Sequence, residues 1–132
     1  MAVAVVEQDR LTKERLDMSD VHALAAELLA TPRGQSESKD CLEGIEADDN
    51  LQLTAEIISH ICDRGAGKTG GFLSYFFLLY ELTKYVREKS QNIFDEEEKD
   101  KLLEYVEEGE EELWRIANGK EEREFLLSQA RQ

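Results

Sequence analysis

Residues 71–91 read GFLSYFFLLYELTKYVREKSQ. Phe72, Leu73, Tyr75, Phe76, Phe77, Leu78, Leu79 and Tyr80 place apolar or aromatic side chains on every side of a helix. A helix that is apolar all round is buried on most of its faces. Ser74, Glu81, Lys84 and Arg87 interrupt the run, which is too short to cross a bilayer. The stretch is therefore the central helix of a bundle, or it is shared with a second subunit.

The flanking segments are helical as well. FDEEEKDKLLEYVEEGEEELWRIANG, residues 94–119, has the best-defined boundaries. Asp95 and Glu98 have capping-box spacing, and Glu96, Glu97 and Glu98 suit the positive end of a helix dipole. Leu102, Val106, Leu113, Ile116 and Ala117 form a narrow apolar stripe, and Asn118-Gly119 is a stop signal. KEEREFLLSQARQ follows as a last short helix carrying Phe125, Leu126 and Leu127.

Upstream, SDVHALAAELLA (19–30) starts at a Ser19 or Asp20 cap and repeats Val21, Leu24, Ala25 and Leu28 with helical period. Thr31-Pro32 ends it. RGQSESKD (33–40) reads as a polar linker, and CLEGIEADD (41–49) as a short turn or helix at most. A cap at Asp49 or Asn50 then opens a helix to about Asp63, with Leu51, Ala55, Ile58 and Ile61 on one face and Gly65 as its C-terminal cap. The first 18 residues are ambiguous: AVAVV suits a short strand, a frayed end or an arm packed on a partner. The expected fold is all-α, one domain over 1–132. It is a compact bundle of four to five helices around the 71–91 helix, with 1–18 as a flexible or partner-packed arm.

Charge narrows the function. The 132-residue chain carries 30 acidic and 16 basic residues, a net −14, and 35% of it is charged against about 25% in an average protein. Such a balance disfavours general binding to nucleic-acid phosphates or anionic lipid, which need basic footprints. It favours basic partners. The surplus is uneven: residues 1–34 sum to −2, 35–63 to −7, 64–94 to +3 and 95–132 to −8, which total −14. Cys41 and Cys62 occur with no secretory signal, and the apolar start MAVAVV is too short for one. Two reduced thiols and a cytoplasmic location are expected.

The basic segment contains CDRGAGKTGG, residues 62–71. Its Gly67-Lys68-Thr69 resembles the tail of a phosphate-binding loop, G-x-x-x-x-G-K-[ST]. The first glycine of that pattern would fall at Cys62, and the lead-in LTAEIISHIC reads as helix rather than as buried strand. A nucleotide-hydrolysing loop is therefore not expected. Arg64, Gly65, Gly67, Lys68 and Thr69 remain a weak anion site before a helix start, set against a plain helix–loop–helix corner.

Other constellations are weaker still. Glu56 and His60 stand one turn apart near Cys62 and Asp63, but the chain has one Glu-x-x-x-His and only one other histidine, His22. No metal and no cofactor are expected. Tyr75, Phe76, Phe77, Tyr80 and Tyr85, with Lys84, Arg87 and Lys89, contain the ingredients of a base-stacking surface. An aromatic helical stripe is more often core, and Phe72, Phe76, Phe77 and Tyr80 are expected at a subunit interface in a homodimer. Glu104, Glu107, Glu108, Glu111 and Glu112 lie off the apolar stripe and face solvent. They are the expected contact for a basic partner protein, including the case in which an acidic helix imitates a phosphate backbone. The expected function is that of a non-enzymatic binding, adaptor or inhibitor protein. The rival is a small helical enzyme or ligand-binding domain using the 64–71 loop for an anion or glutamates for a metal. If the first reading holds, the chain releases no phosphate from ATP or GTP, and Lys68→Ala changes nothing. An activity lost in that variant restores the phosphate loop.

Overall fold

The computed structural model describes residues 16–47, 54, 56–60, 71–92 and 95–132. Of these, 89% are helical, and no strand occurs among them. Five α-helices follow in order: α1 (Ser19–Leu29), α2 (Pro32–Glu46), α3 (Phe72–Lys89), α4 (Glu96–Asn118) and α5 (Lys120–Ala130). A 3₁₀ turn, Ser90–Asn92, extends α3, and residues 54 and 56–60 are also helical. The expected all-α bundle is what forms.

Local chemistry sets the boundaries. Met18 holds the cap position of α1 without a side-chain bond, so neither Ser19 nor Asp20 is the cap. Asp17 acts instead, accepting from Ser19 N at 2.9 Å and Ser19 Oγ at 2.5 Å. These bonds to the charged form hold its carboxyl below the usual carboxylate range. After α1, Thr31 has extended backbone and caps α2, its Oγ1 accepting from Gly34 N at 3.0 Å, and Pro32 takes the first helical position. Thr31-Pro32 thus ends one helix and starts the next.

The expected linker at 33–40 is therefore wrong: it is most of α2. Its buried face consists of Gly34, Ser38 and Ile45, with Cys41 half-buried between them. Small residues bury without adding hydrophobicity, so the helical period does not show. At Gly34 the approach is close, since a Cβ there would stand 1.9 Å from Leu28 O.

α3 is central. Leu73, Tyr75, Phe76, Phe77, Leu79, Leu82 and Val86 are all at most 1% exposed. α2, α4 and α5 pack on it, while α1 packs on α2, α4 and α5. One chain thus covers Phe76 and Phe77 completely and leaves Tyr80 only 8% exposed. Of the four residues expected at a subunit interface, only Phe72 reaches the surface, half-buried. Glu81, expected as a polar break, is itself buried and accepts from Ser38 Oγ at 3.3 Å.

α4 follows its reading closely. Asp95 Oδ1 accepts from Glu97 N at 3.0 Å, and Leu102, Val106, Leu113, Ile116 and Ala117 are all buried. Gly119 ends the helix with extended backbone (φ −83°, ψ 117°) rather than a left-handed turn, and α5 begins at the next residue. Gly109 is the other buried position of the stripe, where α4 crosses α3. A Cβ there would stand 2.7 Å from Thr83 Cγ2 and 3.2 Å from Leu79 Cδ1. Thr83 is stiff at χ1 and its hydroxyl donates to Tyr80 O at 2.9 Å, so it yields little. Gly109→Val is expected to lower unfolding free energy by about 2 kcal/mol through overpacking. Adding Thr83→Ala should recover part of that loss, read by urea titration of the four chains in a double-mutant cycle. Strict additivity of the two losses would show that this contact does not limit the crossing.

Candidate partner-binding surface

The buried stripe of α4 fixes what its other side presents. Glu104, Glu108 and Glu111 recur at i, i+4 and i+7, so they form one outward row, with Glu107 beside it. All four are exposed, and among the described residues none of them makes an ion pair. Glu112, the fifth expected contact, is half-buried and bound to Arg115 through both of its oxygens, one bond being 3.1 Å from Arg115 Nε. Glu110, on the flank towards α3, is bound to Arg87. Between Glu104 and Glu112 the six glutamates of α4 therefore divide, among the described residues, into two used in ion pairs and four left without one.

Lys101 precedes this row by three residues, and Arg115 follows it by four. Its hydrogen bonds to Glu112 and the field of that carboxylate raise its pKa, with smaller contributions from Glu122 and Tyr75. It stays charged and neutralises Glu112, and Lys101 makes no ion pair with the row.

The remaining sequence candidates are scattered. Arg64, Gly65, Gly67, Lys68 and Thr69 lie outside the described residues, as do Cys62 and Asp63. Glu56 and His60 are exposed on the 56–60 helical segment. Among the described residues no three His, Cys, Asp or Glu side chains converge as metal ligands. Tyr75, Phe76, Phe77 and Tyr80 are core, so they form no base-stacking platform, and Tyr85 is half-buried with Lys89 Nζ 5.5 Å from its ring centre. A hollow of about 340 Å³ is lined by Glu124, Leu127, Ser128, Arg131 and Gln132. It runs along α5 and the chain end, and no other described element forms a wall. No described helix is long and apolar enough to cross a membrane. The chain matches no known family model, no curated protein and no solved structure.

Sequence reasoning missed the polar contacts between helices. The Tyr80 hydroxyl and His22 Nδ1 are 2.9 Å apart, and the Ser74 hydroxyl donates to Glu37 Oε2 at 3.2 Å. Cys41 sits in this second group, its Sγ 3.8 Å from Ser74 O, and it carries a free thiol. Burial first, and then the fields of Glu37, Asp40 and Glu81, push that thiol up to about 11 from 9.0. Only a thiolate is nucleophilic. In a Cys62→Ser chain at pH 8, Cys41 should react with iodoacetamide about 100-fold more slowly folded than in denaturant. Because the folded thiol holds its proton more tightly, its contribution to stability should be constant below pH 9. It should fall as pH rises from about 9 to about 11, where the unfolded thiol ionises first. Equal folded and unfolded alkylation rates would refute the shift.

Proposed function

We propose that this protein is a non-enzymatic binding protein, an adaptor or inhibitor, that presents the outer face of α4 to a basic surface of another protein. The observation that carries this reading is the row of exposed, unpaired Glu104, Glu107, Glu108 and Glu111 on a helix whose opposite face is locked in the core. Charges held on a rigid helix steer a partner of opposite sign and suppress wrong partners, while each exposed pair adds little to affinity.

The spacing supports the phosphate-imitating form of this reading. Helical rise places these four carboxylates within about 10.5 Å of helix axis, in uneven steps of about 4.5, 1.5 and 4.5 Å whose mean, roughly 3.5 Å, is close to the ~3.4 Å per phosphate along one DNA strand. A nucleic-acid-binding groove on the partner is thus the surface of matching charge density. One chain is a sufficient binding unit, because α3 no longer requires a second copy to cover it. The free Cys41 thiol suits a reducing cytoplasm.

Affinity capture from native lysate at low and high salt, with mass spectrometry, identifies the partner. Combined Glu104→Lys, Glu108→Lys and Glu111→Lys should then slow its association on the order of tenfold at low salt and flatten the salt dependence. Circular dichroism should be unchanged, since none of the three is buried. Unchanged rate and salt slope would reduce the row to a solubility device.

A further inference from the structure

We propose that α2 is a releasable cover on the bundle: it lifts off α3 as one unit, pivoting at Thr31, while α1, α3, α4 and α5 stay packed. This motion is independent of the acidic face of α4.

The α2–α3 contact is short of apolar material. Among the 15 residues of α2, Ile45 is the one large apolar side chain that is buried. α4, by contrast, buries Leu102, Val106, Leu113 and Ile116. The bonds that join α2 to its neighbours are polar. Ser74 Oγ donates to Glu37 Oε2 at 3.2 Å, Ser38 Oγ to Glu81 Oε1 at 3.3 Å, and Arg33 Nη1 to Gln129 O at 3.1 Å. Water replaces such partners when a helix lifts, so each bond contributes little net. Buried apolar area, which holds a helix down against water, is small here.

Glu81 works against closure. It is 8% exposed. Among the described residues it makes no ion pair, and its one hydrogen bond comes from a neutral hydroxyl. Taking a carboxylate out of water is costly unless it is paired. The cost falls on the closed form, because lifting α2 returns Glu81 to water. The side of α3 beneath α2 is also the side that tolerates water. Ser74, Leu78 and Glu81 share it at i, i+4 and i+7. Ser74 and Leu78 are only half-buried with α2 in place, whereas Tyr75, Phe76 and Leu79 on other sides are fully buried. Extended backbone at Thr31 (φ −100°, ψ 148°) already separates α1 from α2, so α2 swings without unwinding α1. The protein thus carries a minor open form in which this side of α3 meets solvent.

Native-state hydrogen exchange of the full chain in low urea, read peptide by peptide by mass spectrometry, tests the cover. Amides in the middle of α2 should exchange together, at least about tenfold faster than the buried turns of α3 and α4. Their urea dependence should be shallower, the mark of an opening smaller than global unfolding. Glu81→Met keeps the size and drops the charge, and should slow α2 exchange about tenfold. Ser38→Ala removes the hydrogen bond to Glu81, and should speed it about tenfold. α2 amides that share the rate and urea slope of α3 and α4 overturn the proposal, since α2 then opens only with the whole bundle. Protection lost only at the ends of α2, with its middle as slow as α4, overturns it as well, by reducing the motion to fraying. Unchanged or faster α2 exchange in Glu81→Met overturns the part given to Glu81. Should that variant fail to fold, Ser38→Ala decides the same point, and no acceleration there is the overturning result.

Discussion

The structure depends on covering one helix. α3 brings Leu73, Tyr75, Phe76, Phe77, Leu79, Leu82 and Val86 to one short segment, and each has essentially no solvent exposure. Fully burying such a side chain contributes about 1.5–3 kcal/mol, so leaving even two of them wet would consume much of an ordinary domain's stability. Every other described helix is placed by this demand, either against α3 directly or against the helices that enclose it. The ion pairs are secondary. Arg87–Glu110 joins α3 to α4 and Arg123–Glu27 joins α5 to α1, but their side chains are partly solvated, where such pairs are worth little.

The same demand explains the main misreading of the sequence. α1, α3 and α4 are legible because their buried positions are large and recur with helical period. α2 is not, because its buried positions include Gly34 and Ser38. A small residue lets the backbone approach closely, and that closeness is a property of the partner surface, not of the segment. Without α2 the chain has too few helices to cover α3, and a second subunit follows by arithmetic. With α2 in place the deficit disappears. The polar segment that resembles a linker is thus the missing wall of the core, and the burial of α3 by itself does not call for the expected homodimer.

Candidate surface residues follow a related rule. The acidic row on α4 is legible as the complement of the Leu102–Val106–Leu113 stripe, since fixing one face of a helix fixes the other. Which glutamates are free is not legible. Glu110 and Glu112 look like their neighbours in sequence, and only the placement of Arg87 on α3 and of Arg115 one turn along α4 removes them from the pool. Phe125 is hidden for the same reason. In Phe125-Leu126-Leu127 three apolar residues compete for the core, and the angle at which α5 docks decides that Leu126 enters and Phe125 stays out.

That docking angle connects the core to the surface. α5 starts one residue after α4 ends, and the extended backbone of Gly119 turns it back onto the bundle. Arg123 on Glu27 at 2.8 Å fixes one end, and Gln129 on Leu73 and Arg33 fixes the other. With both ends held, rotation of α5 about its own axis is restrained, and Phe125 is set against Phe72. A chain that only needed solubility would gain by turning a polar residue into that position, because Glu124 and Ser128 are available one and three residues away. Instead the polar contacts hold an aromatic ring outward beside carboxylates. The ring is still part of the fold, since its edge meets Phe72, which packs in turn on the buried Tyr75.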